Sequence, residues 1–370
     1  MTSHWLPGLI DTHSHAFHRA LRGQATGGDF WAWRTRMYSL VERLDPDSLL
    51  ALATASFAEL VLAGVTTVHE FHYLHHPDGM DDAVCEAARR AGIRLVLLDT
   101  CYLRPGFDGA ALDPVQQRFS DGDAERWALR AEKVAAANPD VVVGAAIHSV
   151  RAVDPPSMEL VASWARTRGV PLHLHLSEQP AENEACIAAT GRTPTRLAHD
   201  HGVLGSTTTA VHCTHVSAED IALLGTSGTT VCLCPTTERD LGDGVGPASS
   251  LARAGCRLRV GTDSHAVVDL FEEVRAIELD ERLTTGRRAL HRPEDLLAAA
   301  TGVTDRCAID LDSTRLAGAD PHHPVPMIVA AATAADVTDV IIDDQPIVRD
   351  RRHVSIDVAA ELHAAIAALR

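Results

Sequence analysis

Eight short apolar runs in the first 265 residues constrain the fold of this 370-residue chain more than any other feature. The runs are rich in Val, Leu and Thr, and longer segments rich in Ala, Leu, Arg and Glu separate them. Short buried strands that alternate with helices are typical of α/β folds with a parallel sheet. The runs comprise residues 9–15, 66–74, 94–103, 141–150, 171–178, 209–216, 229–236 and 257–265.

Eight such units predict a (β/α)8, TIM-like barrel, and we assign residues 7–304 to it. An open doubly wound sheet is the alternative, but no G-x-G-x-x-G follows any run, so a nucleotide-binding sheet has no support. The segment 324–354 alternates strand-like pieces with turns, and an amphipathic helix ends the chain. Residues 1–6 and 305–370 are therefore predicted to form a small accessory β unit with a C-terminal helix.

Charge and cysteine usage narrow the partners and the compartment. The formal net charge of −17 disfavours nucleic acid and anionic membranes as partners. No apolar run is long enough to span a bilayer, and the first residues lack the features of a secretory signal. The eight cysteines include no C-x-x-C pair, which is typical of reduced, buried thiols. We expect a cytoplasmic protein that acts on a small molecule.

Ionisable residues collect at the C-terminal ends of the runs, where the active site of such barrels lies. In LIDTHSHAFHRALRG (residues 9–23), His13 and His15 lie two apart on a predicted strand, so both side chains point to one face. This H-x-H alone is a weak signal, but later runs end in matching residue types. These are His173, His175 and Glu178 in run five, His212 and His215 in run six, and Asp263 and His265 in run eight.

Imidazoles with one carboxylate suit zinc or another borderline divalent metal, and a catalytic site leaves one position open for water. The metal lowers the pKa of that water, Glu178 can shuttle protons, and Asp263 can deprotonate the water. We expect one of His173 and His175 to face the helices. His215 and His265 are expected either to support the ligands or to be merely polar.

The pattern of H-x-H on strand one, a strand-five His three residues before a Glu, a strand-six His and a strand-eight Asp resembles the amidohydrolase superfamily. It is most similar to the single-metal deaminase branch, because the fourth run ends in IHSVRAV, with no lysine to bridge two metals. The resemblance implies one divalent ion, with zinc as the first expectation. The implied ligands are His13, His15, His175 and Asp263. Glu178 is implied as the proton shuttle, and His212 as the residue that polarises the water or the substrate nitrogen.

Longer segments resemble the formimidoylglutamate deiminase family of bacterial histidine degradation, over about residues 7 to 300. The matching segments are HSHAFHRALRG, FWAWRTRMYSLVERLDPD, AGVTTVHEFHYLHH, HSVRAV, HLHLSEQ, TTERDLGDG and GTDSH. This resemblance implies a homodimer that hydrolyses N-formimidoyl-L-glutamate to N-formyl-L-glutamate and ammonia. The substrate carries two carboxylates, which arginine holds with a bidentate fork. The implied substrate contacts are His18, Arg34, Tyr73, His148 and Arg151.

Alternatives stay open for several of these residues. Arg34 could be a cation–π brace within FWAWR, Arg151 a solvent-facing loop charge, and Tyr73 a core residue. The rival functions are a deaminase that acts on a nucleobase-like ring, for which aromatic stacking would replace the carboxylate clamps, and a catalytically inactive metal-binding barrel.

The chain also departs from the family pattern. Twelve residues precede His13, and the region between LLAAATGVTD and CAIDLDSTRLAG is short, so the accessory β-sandwich is predicted to be truncated. His18 stands where many members have Gln. A histidine can still donate a hydrogen bond to a substrate carboxylate, and it adds a titratable group.

Overall fold

A computed structural model describes residues 3–24 and 27–370, and each of the eight apolar runs contains a strand. The strands are β1 (Ser3–Ser14), β2 (Val65–His72), β3 (Arg94–Cys101), β4 (Val142–Ser149), β5 (Leu172–Leu176), β6 (Thr208–His212), β7 (Thr230–Leu233), β8 (Leu258–Val260), β9 (Thr301–Asp310), β10 (Val337–Ile342), β11 (Gln345–Arg349) and β12 (Arg352–His353).

Helices connect successive strands of the barrel and cover its outside. They are α1 (Phe30–Val41), α2 (Pro46–Leu62), α3 (Met80–Ala91), α4 (Ala124–Ala137), α5 (Pro155–Arg168), α6 (Pro180–Thr190), α7 (Pro194–Asp200), α8 (Ala218–Ser227), α9 (Pro235–Leu241), α10 (Ala248–Arg253), α11 (Leu270–Thr285), α12 (Pro293–Ala300), α13 (Val325–Ala331) and α14 (Val358–Ala368). Short 3-10 helices span Ala16–Leu21, Gln116–Phe119 and Ala334–Asp336.

Local sequence signals set the helix ends. Helix α2 begins with a capping box, in which the Asp45 carboxylate accepts from the backbone of Ser48 and the Ser48 hydroxyl accepts from the backbone of Asp45. Helix α5 begins with Asp154 as its N-cap and ends at Gly169, which adopts a left-handed conformation that costs glycine little. Proline in the first turn and glycine at the C-cap therefore mark the ends of helices such as α5.

Strands β1 to β8 pair in sequence order, each parallel to the next. The ring closes just beyond β8, where the backbone of Asp263 donates to the carbonyl of His13 at 2.9 Å and accepts from the N–H of His15 at 3.0 Å. A Cβ atom on Gly261 would lie 2.5 Å from the His13 carbonyl oxygen, so the closure requires glycine there. The predicted barrel is confirmed, and the open doubly wound sheet is wrong.

The C-terminal strands extend the same sheet. The first half of β1 pairs antiparallel with β9, and β10, β11 and β12 follow as antiparallel neighbours. Helix α14 packs against α2. The predicted unit boundaries fall inside β1 and β9, which run through both parts of the sheet, and they stay a prediction. Within the described residues, no helix has both the length and the apolar character needed to cross a membrane.

Candidate active site

A cavity of about 360 Å³ opens at the C-terminal ends of the barrel strands. Its walls come from nearly every loop of that face, together with α1, which covers one side. The cavity brings together ten of the eleven site residues predicted from the sequence, and the eleventh, His13, lies directly behind them. The ten are His15, His18, Arg34, Tyr73, His148, Arg151, His175, Glu178, His212 and Asp263.

The four predicted metal ligands converge at the floor of this cavity. The Nε2 atom of His175 lies 3.1 Å from Nε2 of His13 and 3.4 Å from Nε2 of His15. Oδ1 of Asp263 lies 3.4 Å from Nε2 of both His13 and His15. All four side chains are buried. A nitrogen and oxygen donor set of this kind, brought together from three strand ends, suits a divalent cation.

Hydrogen bonds from Nδ1 of two ligand histidines to backbone carbonyls determine which ring nitrogen can bind a metal. Nδ1 of His15 lies 2.8 Å from the carbonyl oxygen of Phe71, and Nδ1 of His175 lies 2.9 Å from the carbonyl oxygen of His148. A carbonyl can only accept, so each Nδ1 carries the proton and each Nε2 turns a lone pair inward. Two such lone pairs 3.4 Å apart repel each other unless a cation lies between them. The residues present therefore fit a divalent metal.

Backbone geometry places the ligands and their neighbours. His13 is near the end of β1 and His15 directly follows the strand, and their rings lie 4.7 Å apart at the inner face of the barrel wall. Asp263 and His212 adopt left-handed conformations with φ of 44° and 70°, just after β8 and at the end of β6. Such conformations cost free energy in residues other than glycine and cluster at functional sites, where they aim a side chain.

A charged pair borders the metal ligands. Nε2 of His212 lies 3.8 Å from Oε1 of Glu178 and 3.8 Å from Oδ2 of Asp263. Burial raises the pKa of the Glu178 carboxyl. Burial alone would lower the pKa of His212, but the facing carboxylates of Glu178 and Glu238 outweigh it and raise that pKa well above its usual range. A carboxyl and an imidazole held this close can exchange and hold protons beside the metal position.

Sequence reasoning missed Glu238, which is the third residue of TTERDLGDG and lies on α9. Its Oε1 atom lies 3.4 Å from Nδ1 of His212 and accepts from the backbone N–H of Cys234 at 3.0 Å. The side chain is buried and orients the His212 ring. The available signal was a Glu two residues after the end of the seventh run, within a motif otherwise rich in turn-forming residues.

The remaining predicted residues form the outer wall of the cavity. The Tyr73 hydroxyl is hydrogen-bonded to Nε2 of His18 at 2.8 Å. The His148 ring packs edge-on against Tyr73 and Tyr102. Arg151 is half-buried and donates from Nη1 to the carbonyl of Pro105 at 2.7 Å, so it lies in the wall rather than in solvent.

Arg34 lines the cavity and also stacks on aromatic rings, and its contact with substrate stays a prediction. Its guanidinium carbon lies 4.6 Å from the ring centre of Trp31 and 5.4 Å from that of Tyr38. Stacking uses the face of the guanidinium and leaves the N–H groups at its edge for hydrogen bonds.

The expectation that one of His173 and His175 faces the helices is wrong. Residues two apart on a strand share a face. The His173 ring packs 5.5 Å from that of His69 on β2, a strand that is not adjacent to β5, so both rings lie inside the barrel. Nε2 of His215 donates to the carbonyl oxygen of Asp243 at 2.8 Å, and Nε2 of His265 lies 2.9 Å from the Ser14 hydroxyl. Neither reaches the metal ligands directly.

The fold and the site define a metal-dependent hydrolase built on a (β/α)8 barrel. Residues 5–308 match the profile of the amidohydrolase family. The chain belongs to the amidohydrolase family.

Relatives within the family include several deaminases. The chain is 32% identical to formimidoylglutamate deiminase of Pseudomonas aeruginosa, over 96% of this chain and 87% of that protein. It is 28% identical to 5-methylthioadenosine/S-adenosylhomocysteine deaminase of Syntrophobacter fumaroxidans, over 95% and 82%. It is also 29% identical to 8-oxoguanine deaminase of Pseudomonas aeruginosa, over 90% and 79%. These likenesses support a hydrolase of the deaminase kind.

Solved structures agree with the fold. An amidohydrolase from Brucella melitensis superposes with a TM-score of 0.90 at 30% identity, over 99% of this chain and 89% of that one. An adenosine deaminase from Xanthomonas campestris with bound zinc superposes with a TM-score of 0.87 at 23% identity, over 99% and 85%. The second likeness shows the fold alone, and a divalent metal in this chain is supported by the donor set itself.

Proposed function

We propose that this protein is a formimidoylglutamate deiminase, which hydrolyses N-formimidoyl-L-glutamate to N-formyl-L-glutamate and ammonia in cytoplasmic histidine degradation. The observation that carries the proposal is the presence of two arginines, Arg34 and Arg151, in the wall of the cavity whose floor holds the metal donors. A substrate that carries two carboxylates and an amidine matches a cavity with arginines in its wall and the metal donors at its floor.

The metal ligands in this proposal are His13, His15, His175 and Asp263, with zinc as the ion. When bound, such an ion lowers the pKa of a water molecule and so supplies a hydroxide nucleophile near neutral pH. The outer bonds of His15 to Phe71 and of His175 to His148 hold these rings in the orientation that binding requires.

Proton movement falls to the residues beside the ligands. In this proposal Asp263 accepts the proton of the water, and Glu178 passes a proton to the departing nitrogen of the amidine. His212 faces both carboxylates and polarises the water or the substrate nitrogen. The balance is addition of water to the formimidoyl carbon, formation of a carbonyl, cleavage of the bond to the terminal nitrogen and release of ammonia.

Substrate binding falls to the outer wall. Arg151 and Arg34 each offer N–H groups to a carboxylate, and a charge-assisted hydrogen bond of this kind is stronger than a neutral one. His18, Tyr73 and His148 line the same wall and add further donors. The 32% identity to a formimidoylglutamate deiminase supports this assignment. The proposal includes a homodimer, which is carried over only from the family resemblance.

A deaminase for a nucleobase-like ring is the second candidate, because Trp33, Tyr73, Tyr102 and Phe119 also line the cavity. The relatives that deaminate 8-oxoguanine or 5-methylthioadenosine belong to the same family. A catalytically inactive barrel is disfavoured by the convergence of a complete donor set with Glu178 and His212.

Ammonia release tests the proposal. Zinc-loaded protein is incubated with N-formimidoyl-L-glutamate, 8-oxoguanine or 5-methylthioadenosine, and ammonia is measured with and without a chelator. We expect release from N-formimidoyl-L-glutamate that the chelator abolishes. Release from a ring substrate alone would replace this function with the second candidate, and folded, metal-loaded protein that releases no ammonia from any of them would overturn both.

A further inference from the structure

Glu70 is a buried carboxylate that lies outside the cavity, behind the barrel wall that carries the metal ligands. The ring of Phe71 packs 5.1 Å from that of His13 and 5.4 Å from that of His15, so Phe71 faces the ligands and its neighbour Glu70 points the other way. Only 1% of Glu70 is exposed. Neither the predicted chemistry nor the predicted substrate contacts use this side chain.

Two hydrogen bonds join Glu70 to the segment that contains the first ligands. Its Oε2 accepts from the hydroxyl of Ser14 at 2.7 Å, and its Oε1 accepts from the backbone N–H of Ala16 at 2.7 Å. Ser14 lies between His13 and His15, and Ala16 follows directly. A carboxylate on β2 therefore binds the residues on both sides of His15, at the end of β1 and at the start of the following 3-10 helix.

The same hydroxyl continues the network to the eighth strand. The Ser14 oxygen lies 2.9 Å from Nε2 of His265, and because the hydroxyl proton goes to Glu70, His265 is the donor in this contact. His265 follows Asp263 by two residues, and its carbonyl accepts from Nε of Arg22 at 2.6 Å. Glu70, Ser14 and His265 thus connect β2, β1 and the segment after β8 behind three of the ligands.

We propose that Glu70 is a positioning residue for the metal site, acting through Ser14 and His265 on His13, His15 and Asp263. The inference rests on the metal site of the proposed function and does not depend on the substrate. The barrel closes at these ligands, since the only parallel bridge beyond β8 in the described residues joins Ser14 to Asp263. Without this network, the distance between the histidine pair His13 and His15 and the carboxylate of Asp263 would be less firmly held. Partners of this kind typically change metal affinity 10- to 100-fold when removed.

The chain contains a matched control for this motif. Glu281 accepts from the backbone N–H of Ser249 at 3.0 Å and from its hydroxyl at 2.9 Å, and it contacts Nε2 of His291 at 2.9 Å. This carboxylate, serine and histidine are buried to a similar degree on α11 and its neighbours, remote from the ligands. E281Q and S249A therefore measure what the loss of such a network costs when no metal is involved.

The experiment compares zinc affinity, by competition with a chromogenic chelator, with thermal stability of the metal-free protein. We expect E70Q and S14A to weaken zinc binding about 10- to 100-fold, and E281Q and S249A to leave it unchanged while lowering the melting temperature by a comparable amount. The double variant E70Q/S14A should bind zinc no more weakly than the worse single variant, because both changes break one path.

The outcomes separate this inference from the proposed function. The positioning role would be overturned if E70Q and S14A bound zinc as tightly as the wild type, or if E281Q and S249A lost the same affinity. Neither result would contradict the proposed function. Zinc-binding protein that fails to release ammonia from N-formimidoyl-L-glutamate would overturn the substrate and leave the positioning role standing. A wild type that binds no divalent ion would overturn both.

Discussion

Nδ1 of His212 lies 3.4 Å from the same Glu238 oxygen that accepts a hydrogen bond from the backbone of Cys234. The carboxylate keeps the Nδ1 proton in place, so that Nε2 faces Glu178 and Asp263. We predict that E238Q lowers kcat roughly 10- to 100-fold, because the amide removes a negative charge that faces His212 and helps to keep its ring protonated and oriented.

Steady-state kinetics with N-formimidoyl-L-glutamate checks this prediction. KM should change little, since Glu238 does not lie in the wall that holds the carboxylates. E272Q, a change on the exposed side of α11, is the control and should leave kcat unaltered. A kcat for E238Q equal to that of the wild type would show that His212 needs no partner.

Metal removal should reduce stability as well as activity. The ligands lie at the ends of β1 and β5 and after β8, so a bound ion joins three segments that are far apart in sequence. With free zinc at about 100 times its Kd, binding stabilises the native state by about 2.7 kcal/mol. Chelation should therefore abolish ammonia release and lower the melting temperature, and added zinc should restore both. An unchanged melting temperature on chelation would contradict this coupling.

Neutralising either wall arginine should weaken substrate binding. R34M and R151M each remove a charge-assisted hydrogen bond to a carboxylate, worth about 1.5–3 kcal/mol, so kcat/KM should fall roughly 10- to 150-fold. R126M, on the exposed face of α4, is the matched control. If ring substrates are the true ones, R34M and R151M should leave kcat/KM for them nearly unchanged, and that pattern would support the second candidate function.

The barrel was predictable because its signals are local. The apolar runs recur eight times, and proline and glycine mark the ends of many helices between them. The ligand set was predictable for the same reason, since strand ends in such a barrel meet at one face. His13 and His175 are near the ends of β1 and β5, and His15 and Asp263 follow β1 and β8. These signals depend on residue type and spacing along the chain, which the sequence contains in full.

Glu70 and Glu238 could not be found this way, because their roles depend on contacts between segments far apart in sequence. Glu70 reaches Ser14 across 56 residues, and Glu238 reaches His212 across 26. The orientation of His173 was predicted wrongly because the two-residue strand period, applied to His13 and His15, was not applied to the second H-x-H pair. Tertiary hydrogen bonds and side-chain direction had to come from the structure.

Stability should fall as pH rises through the range set by Glu273, a fully buried carboxyl on α11. Burial raises its pKa well above the usual value, although hydrogen bonds from Thr236 oppose the shift. Above about pH 4.5 the unfolded chain loses this proton while the folded protein retains it, so stability declines with rising pH until the raised pKa is passed. E273Q, which cannot ionise, should flatten this part of the dependence. Urea unfolding between pH 5 and 8 measures it, and identical slopes for variant and wild type would contradict the prediction.

Two substitutions of His18 should show whether its ring contributes to substrate binding by a hydrogen bond or by packing in the cavity wall. Nε2 of His18 is hydrogen-bonded to the Tyr73 hydroxyl, and His18 lines the cavity, where we propose that it contacts a substrate carboxylate. H18L removes the donor and should lower kcat/KM roughly 10- to 150-fold, the range for a hydrogen bond to a charged group. H18Q retains a donor and should stay within about tenfold of the wild type. H199Q, on the exposed surface of α7, is the control. Equal losses for H18L and H18Q would show that His18 supports the wall by packing, as its edge-on contacts with Phe17 and Trp33 also allow.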